Sequence, residues 1–164
     1  MQQADARTRP IGPLAGYIGK NHIVAAIDQF HAAHPSVALE VDVQRHPYSF
    51  LGDSASASGK RHEVSTWHDG LLGYVGGDAV ARDRAEEGIR AQGRAAGIEF
   101  DFHVNTHWQP VDSQRLLLWA GRFGKQEEYM TALNKRHFER RTSASERPTL
   151  LAAVDAAGLD VSDS

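Results

Sequence analysis

The 164-residue chain contains no cysteine. This absence excludes thiol–disulfide exchange, a thiolate nucleophile and cysteine-ligated metal centres, because each of these needs at least one thiol. It also removes the usual indicator of the redox compartment, since the presence of disulfides is what separates secreted from cytosolic chains. A cytoplasmic localisation is therefore the default expectation.

Basic charge and long apolar runs are also scarce. Lysine and arginine total 18 against 21 acidic residues, and this net charge of −3 lacks the excess that phosphate-backbone binding needs. No apolar run reaches the roughly 18 residues of a membrane-spanning helix, and the first ten residues contain no apolar signal region. We expect a soluble globular protein that binds neither nucleic acid nor membrane.

Apolar residues recur at helical spacing in most of the chain. From Tyr17 onward, Ile23, Ile27 and Phe30 fall at i, i+4 and i+7, which predicts an amphipathic helix that ends before His34. Similar patterns, with prolines and glycines at their ends, predict four more helices, at 78–96, 113–123, 126–140 and 146–157.

Strand patterns are few. Val37–Val43 alternates apolar and polar residues, with valine at several of the apolar positions, and predicts a strand. Ile98–Phe102 also alternates, but five residues do not distinguish a short strand from an extended connection. A lone strand leaves both edges unpaired, so a partner strand is expected either within 1–16 or outside this chain.

Histidine is plentiful, with nine residues. The tightest spacings join His31 to His34 and His103 to His107. The first pair straddles a helix end and the second lies outside the predicted helices, so a shared face is not assured for either pair. With no H-E-x-x-H pattern and no third ligand beside either pair, no metal site is expected.

Other catalytic patterns are weak. No G-x-S-x-G sequence is present, so a Ser-His-Asp triad is not indicated. The pairs Glu86-Glu87 and Glu127-Glu128 diverge by about 100° on a helix, which favours solvated faces over an acid–base pair. The basic run Arg136, Arg140 and Arg141 is typical of a helix end, where cations suit the macrodipole.

The order of segments near the start of the chain is distinctive. Gly12–Gly16 precedes Tyr17-Ile-Gly-Lys20 at the opening of the first helix, and the predicted strand follows, ending at His46-Pro47-Tyr48. This order resembles the DsbA-like thioredoxin-fold family, in the branch of polyketide-associated oxidoreductases, 2-hydroxychromene-2-carboxylate isomerases and kappa-class glutathione transferases. In that branch a strand leads into C-P-W-C-Y-[IV]-G-[KR].

Weaker matches continue in order to about residue 160. Ala95–Phe100 is similar to the family's G-[LI]-x-F segment, and Asp112–Leu116 to its N-T-x-[DE]-[AS]-H-R-L helix start, with Gln114 in place of histidine. The resemblance implies an α/β fold, thioredoxin-like of the DsbA type, dominated by helices. Its expected layout is a poorly ordered lead at 1–11 and one domain at 12–164, with a thioredoxin part at 12–50 and a large helical insertion at about 60–160.

Two departures from the family shape the functional expectation. Gly12, Pro13, Leu14, Ala15 and Gly16 stand where the redox cysteines belong, and the serine of the transferase and isomerase branches is absent too. The family's first strand and its final cis-proline strand and hairpin have no clear counterpart, so the sheet is expected to be incomplete.

The resemblance therefore implies a redox-inactive binding or scaffold module, with a protein or a small organic acid as its partner and no cofactor. The alternative is a glutathione-dependent isomerase or transferase that uses the helix start near Gly16, with Tyr17 as the hydrogen-bond donor. Each candidate residue also has an interpretation that involves no function, and for Tyr17 this is packing in the core. The residues that could line a ligand groove are His46, Pro47, Arg115 and Trp119.

Overall fold

Helices dominate the computed structural model, which describes residues 13–40, 45–46, 64–107 and 111–163. The protein is 66% helical, and its two short strands form one antiparallel sheet, an arrangement compatible with the α/β class. The elements in chain order are α1 (Pro13–Ala33), β1 (Val64–Thr66), α2 (Trp67–Tyr74), α3 (Ala79–Ala95), β2 (Asn105–His107), α4 (Val111–Gly121), α5 (Gln126–Asn134) with a π-helical continuation (Lys135–Glu139), α6 (Arg147–Ala156) and a 3-10 turn (Val161–Asp163).

Local capping explains where the helices begin and end. The Asp78 carboxylate accepts hydrogen bonds from the backbone amides of Val80 and Ala81, at 2.9 and 3.0 Å, and so starts α3. Gly97, Gly124 and Gly158 all have positive φ angles just beyond helix ends, as the sequence predicts for such stops. The helices predicted at 78–96, 113–123, 126–140 and 146–157 are thereby confirmed.

Helix α1 is also confirmed, and it starts earlier than its apolar pattern does. Pro13 opens the helix, so residues 13–16 form its first turn rather than a loop. Proline suits this position because its fixed φ is helical and its missing amide hydrogen would have no helical partner. Gly12 and the predicted lead at 1–11 lie outside the described residues.

The strands differ from the prediction. Residues 37–40 form no strand, and 41–43, the rest of that prediction, lie outside the described part of the chain. The sheet instead pairs Val64 with His107 and Thr66 with Asn105. Three-residue strands about 40 positions apart carry no readable periodicity, because their pairing comes from long-range packing.

Ile98–Phe102 forms neither a strand nor a helix and connects α3 to β2. Its alternation is nevertheless meaningful, because Ile98, Phe100 and Phe102 are buried and Val104 continues the pattern. The same alternation that would place side chains on one sheet face here directs them into a helical core.

Two apolar clusters make up that core. The first consists of Tyr17, Ile18, Trp67, Leu71, Ile89, Ile98, Phe100, Phe102, Val104 and Phe138. The second consists of Leu117, Ala120, Tyr129, Leu133, Leu150, Ala153, Val154 and Ala157. Helix α5 and its π-helical turn connect the two, since Tyr129 and Leu133 belong to the second cluster and Phe138 to the first.

His137 is a buried polar residue between these clusters. Trp67 donates its indole hydrogen to Nε2 of His137 at 3.1 Å, and Nδ1 lies 3.3 Å from the Thr142 carbonyl oxygen and 3.2 Å from the backbone amide of Ala144. Burial lowers the pKa of His137 to about 4, because a charged imidazolium would lose its hydration.

Acid is therefore expected to destabilise the fold through His137. Its folded-state pKa lies below the ordinary value of about 6.5, so stability is complete above that pH and falls as the pH drops towards 4, by about 2–3 kcal/mol in all. His137→Gln can still accept the Trp67 hydrogen and does not titrate. Urea unfolding across this pH range should show a flatter profile for the variant, whereas the exposed control His22→Gln should keep the wild-type slope. An unchanged profile in His137→Gln would contradict this prediction.

Gly93 provides a second test, of core packing. A Cβ atom at Gly93 would lie 2.5 Å from Cδ2 of Phe100 and 2.9 Å from the Ile98 carbonyl oxygen, in the middle of the first cluster. Gly93→Ala should lower the free energy of unfolding by about 1–3 kcal/mol through overpacking. Gly19→Ala is the matched helical control, because its Cβ would meet nothing within 4 Å and should stabilise α1 by about 0.5–1 kcal/mol. Equal effects of the two substitutions in denaturant unfolding would contradict the packing argument.

Candidate functional sites

The hydroxyl of Tyr17 points into the protein. It donates to Oε1 of Glu139 at 2.5 Å, and the ring stacks on Phe138 with its centroid 6.0 Å away. Burial, and then the Glu139 carboxylate, raise the pKa of Tyr17 above its usual range. The structure thus gives Tyr17 a packing and anchoring role at the start of α1.

Two more side chains tie the first turns of α1 to the rest of the molecule. Asn21 donates from Nδ2 to the Ala96 carbonyl oxygen at 2.6 Å, and Lys20 contacts Thr131 and lies 3.5 Å from Glu127. Glu127 also accepts a hydrogen bond from Nη2 of Arg45 at 3.0 Å. Partial burial would raise the pKa of Glu127, but its bonds to Arg45 and Lys20 hold it below its ordinary value. Lys20 and Arg45 are thus bound to the half-buried carboxylate of Glu127.

The proposed groove residues are not brought together. Arg115 is exposed and pairs with Asp112 on its own helix at 3.4 Å, while Trp119 lies partly buried against the second cluster with its ring 5.2 Å from Phe123. His46 is exposed, and Pro47 lies outside the described residues. Within the described ranges, no hydrogen bond or ring contact joins these side chains to Tyr17.

Beyond its anchored start, α1 presents apolar side chains to solvent. Ile23 is 52% exposed and Val24 48%, while Ile27 and Phe30 are half-buried. We call these four residues the α1 face. The periodicity correctly predicts the helix but wrongly implies that this face packs on the core, since Tyr17 and Ile18 are the α1 residues in the first cluster.

A cluster that sequence patterns did not identify lies where α2 meets α3. Nδ1 of His68 lies 2.5 Å from Oε1 of Glu86, and the other carboxylate oxygen of Glu86 is 3.3 Å from Nη2 of Arg90. Glu86 is only 7% exposed, whereas its neighbour Glu87 is exposed and pairs with Arg94. The solvated face predicted for this pair is correct for Glu87 and wrong for Glu86.

A second imidazole completes this cluster. The ring of His103 stacks on that of His68 with centroids 4.9 Å apart and planes 21° apart. Asp101 lies 3.6 Å from Nδ1 of His103 and is itself held by Arg141 at 2.7 Å. We call His68, Glu86, Arg90, Asp101, His103 and Arg141 the histidine cluster.

The fold explains how the histidine cluster assembles. His68 is the second residue of α2, and its backbone amide donates to the Phe102 carbonyl oxygen at 2.9 Å, which brings it beside His103. Glu86 and Arg90 lie one turn apart on the face of α3 that meets α2. His68 and His103 are 35 positions apart, so no local spacing could have paired them.

Neither a metal-binding group nor a membrane-spanning helix is found in the described part of the chain. Its histidine, aspartate and glutamate side chains form no group of three or more that could hold a metal ion. None of its helices combines the length and the apolar character needed to cross a membrane.

Comparison with known proteins returns no match to a protein-family model, to a curated protein or to a solved structure.

Proposed function

We propose that the protein is a binding module that works without a thiol, built on a DsbA-like thioredoxin-type scaffold that has lost its cysteine pair. The sequence resemblance over residues 12–160 supports the scaffold. The absence of cysteine, together with the lack of a serine at 12–16, supports the loss of redox chemistry.

The exposure of the α1 face is the observation that carries this proposal. Tyr17, Lys20 and Asn21 anchor the first turns, but the later turns extend as a helix with Ile23 and Val24 about half exposed. A helical segment of about 12 residues is marginal in water on its own, so covering its apolar face is stabilising. Full burial of each such side chain contributes about 1.5–3 kcal/mol.

The spacing and charge of this surface favour another helix as its partner. Ile23, Ile27 and Phe30 have the i, i+4, i+7 spacing by which a helix docks on an apolar surface. Residues 21–33 contain no lysine or arginine, so a small organic acid fits poorly here. Asp28 is the only carboxylate in this stretch, so two copies of α1 meet with little repulsion, and paired copies are the commonest assemblies. The partner is the α1 helix of a second copy.

The enzymatic alternative has less support from the geometry. A glutathione site at the start of α1 would need the Tyr17 hydroxyl as a donor to the thiolate. That hydroxyl already donates to Glu139 at 2.5 Å within a buried aromatic cluster. Opening the site would therefore cost both the hydrogen bond and the ring packing.

Self-association through the α1 face is directly testable. Sedimentation velocity should show a dimer at about 100 µM, above the micromolar Kd of a small interface, and Ile23→Glu combined with Ile27→Glu should give monomers. Val80→Glu is the matched control, because Val80 is a 68% exposed apolar residue on a different helix, α3, and it should leave the dimer intact. A monomeric wild type, or equal loss of the dimer in the control, would refute the pairing.

Glutathione distinguishes the binding module from the enzyme. A ligand at about 100 times its Kd adds about 2.7 kcal/mol to stability, so a true glutathione site would raise the melting temperature clearly. We expect millimolar glutathione to leave the melting temperature unchanged, because the Tyr17 hydroxyl is already bonded. A rise that Tyr17→Phe abolishes would instead establish the enzymatic alternative.

A further inference from the structure

Burying the Glu86 carboxylate costs free energy of folding. A buried carboxylate costs free energy unless it is paired, and well-packed apolar residues usually stabilise a helix contact at least as well as a buried ion pair. Glu86 is 7% exposed and contacts both Arg90 and His68. Besides pairing with Arg90, a carboxylate in this place can orient an imidazole, which an apolar side chain cannot do.

The orientation of His68 follows from this contact. An ionised carboxylate can only accept, so in the neutral form of His68 the ring proton lies on Nδ1, 2.5 Å from Oε1 of Glu86, and Nε2 keeps its lone pair. The His68 side chain is 24% exposed, and none of the described residues hydrogen-bonds to its Nε2. A base with a free lone pair, oriented through its other nitrogen, is the arrangement of general-base catalysis.

His103 restricts the movement of this base. Its ring stacks on His68 at 4.9 Å, and its backbone amide donates to Oδ1 of Asp101 at 2.8 Å. Arg141 holds the other oxygen of Asp101 at 2.7 Å. His103 is therefore a positioning residue that covers one face of the His68 ring.

The charge around the histidine cluster selects the substrate class. The Thr66 hydroxyl, followed by the nearby histidines, lowers the pKa of Asp69, and Arg141 does the same for Asp101 against the effect of partial burial. The carboxylates of Asp69, Asp101 and Glu86 and the guanidinium groups of Arg90 and Arg141 surround the two imidazoles. The two arginines are already paired with carboxylates and so are not available to bind an anion, which favours a neutral substrate.

From this geometry we propose that the histidine cluster hydrolyses small neutral carboxylic esters, with His68 as the general base. A water oxygen forms a bond to the ester carbonyl carbon while its proton passes to Nε2 of His68. The bond from that carbon to the alcohol oxygen then breaks, and the same proton passes to the leaving oxygen. One ester and one water give one carboxylic acid and one alcohol. The proposal is independent of the α1 face.

Hydrolysis of p-nitrophenyl acetate by the purified chain tests this activity. His68→Gln should lower the rate constant by about 100-fold, the smaller end of a general-base contribution, and Glu86→Gln by about tenfold or more, through loss of orientation. His22→Gln removes an exposed histidine outside the cluster and should leave the rate unchanged. A wild-type rate no higher than that of free histidine at matched imidazole concentration, or full activity in His68→Gln, would overturn the proposal.

A second measurement does not depend on the stability of the variants. Nitrogen-15 NMR of the unmodified protein should show His68 protonated on Nδ1 with an unprotonated Nε2 at neutral pH. Protonation on Nε2 instead would show that Glu86 does not orient the base, and the proposal would fall.

Discussion

The structure depends on satisfying the backbone of residues 98–104, which lie against the first cluster but outside the sheet. The side chains of Ile98, Phe100, Phe102 and Val104 are buried, so unpaired amide and carbonyl groups next to them would be costly. Helices supply the partners. The Ile98 amide donates to the Gly93 carbonyl oxygen at 2.8 Å, the Asp101 amide to that of Phe138 at 2.6 Å, and the Phe102 carbonyl accepts from the amide of His68 at 2.9 Å.

These backbone bonds also determine where the chemistry lies. The bond to Phe102 places His68 beside residues 98–104, so that its ring meets that of His103. Arg90 donates to the Phe100 carbonyl oxygen at 3.1 Å and lies over the Phe102 ring at 4.9 Å, while its other nitrogen reaches Glu86. One arginine thus supports both the buried backbone and the carboxylate that orients His68, which links the proposed catalytic geometry to the integrity of the core.

The first and the later turns of α1 lie in different environments. Its first turns are part of the core, through Tyr17 and Ile18, whereas its later turns leave the core with an apolar face exposed. Burial of apolar area drives both folding and association. The two proposed functions therefore use different kinds of side chain. The histidine cluster uses polar groups held by the interior, and the α1 face uses apolar groups that the interior leaves uncovered.

Sequence reasoning succeeded where the cause of structure is local. Helical periodicity and glycines such as Gly97 and Gly158 act within one or two turns, so the positions of α3 to α6 are readable from the chain. The strands of the sheet and the pairing of His68 with His103 were not readable, because they join segments 35 or more positions apart. Residues 37–40, the described part of the predicted strand, show the same limit, since alternation describes a side-chain pattern and does not supply a partner.

By itself, the sequence determined that no thiol chemistry operates in this chain and that helices make up most of the structure, because composition and short-range periodicity decide both. Only the tertiary structure decided which side of α1 is buried, that Tyr17 is an anchor, and that Glu86 faces inward to His68 while Glu87 faces solvent. Adjacent residues with the same side chain have different environments here because burial depends on which distant segment packs against each one.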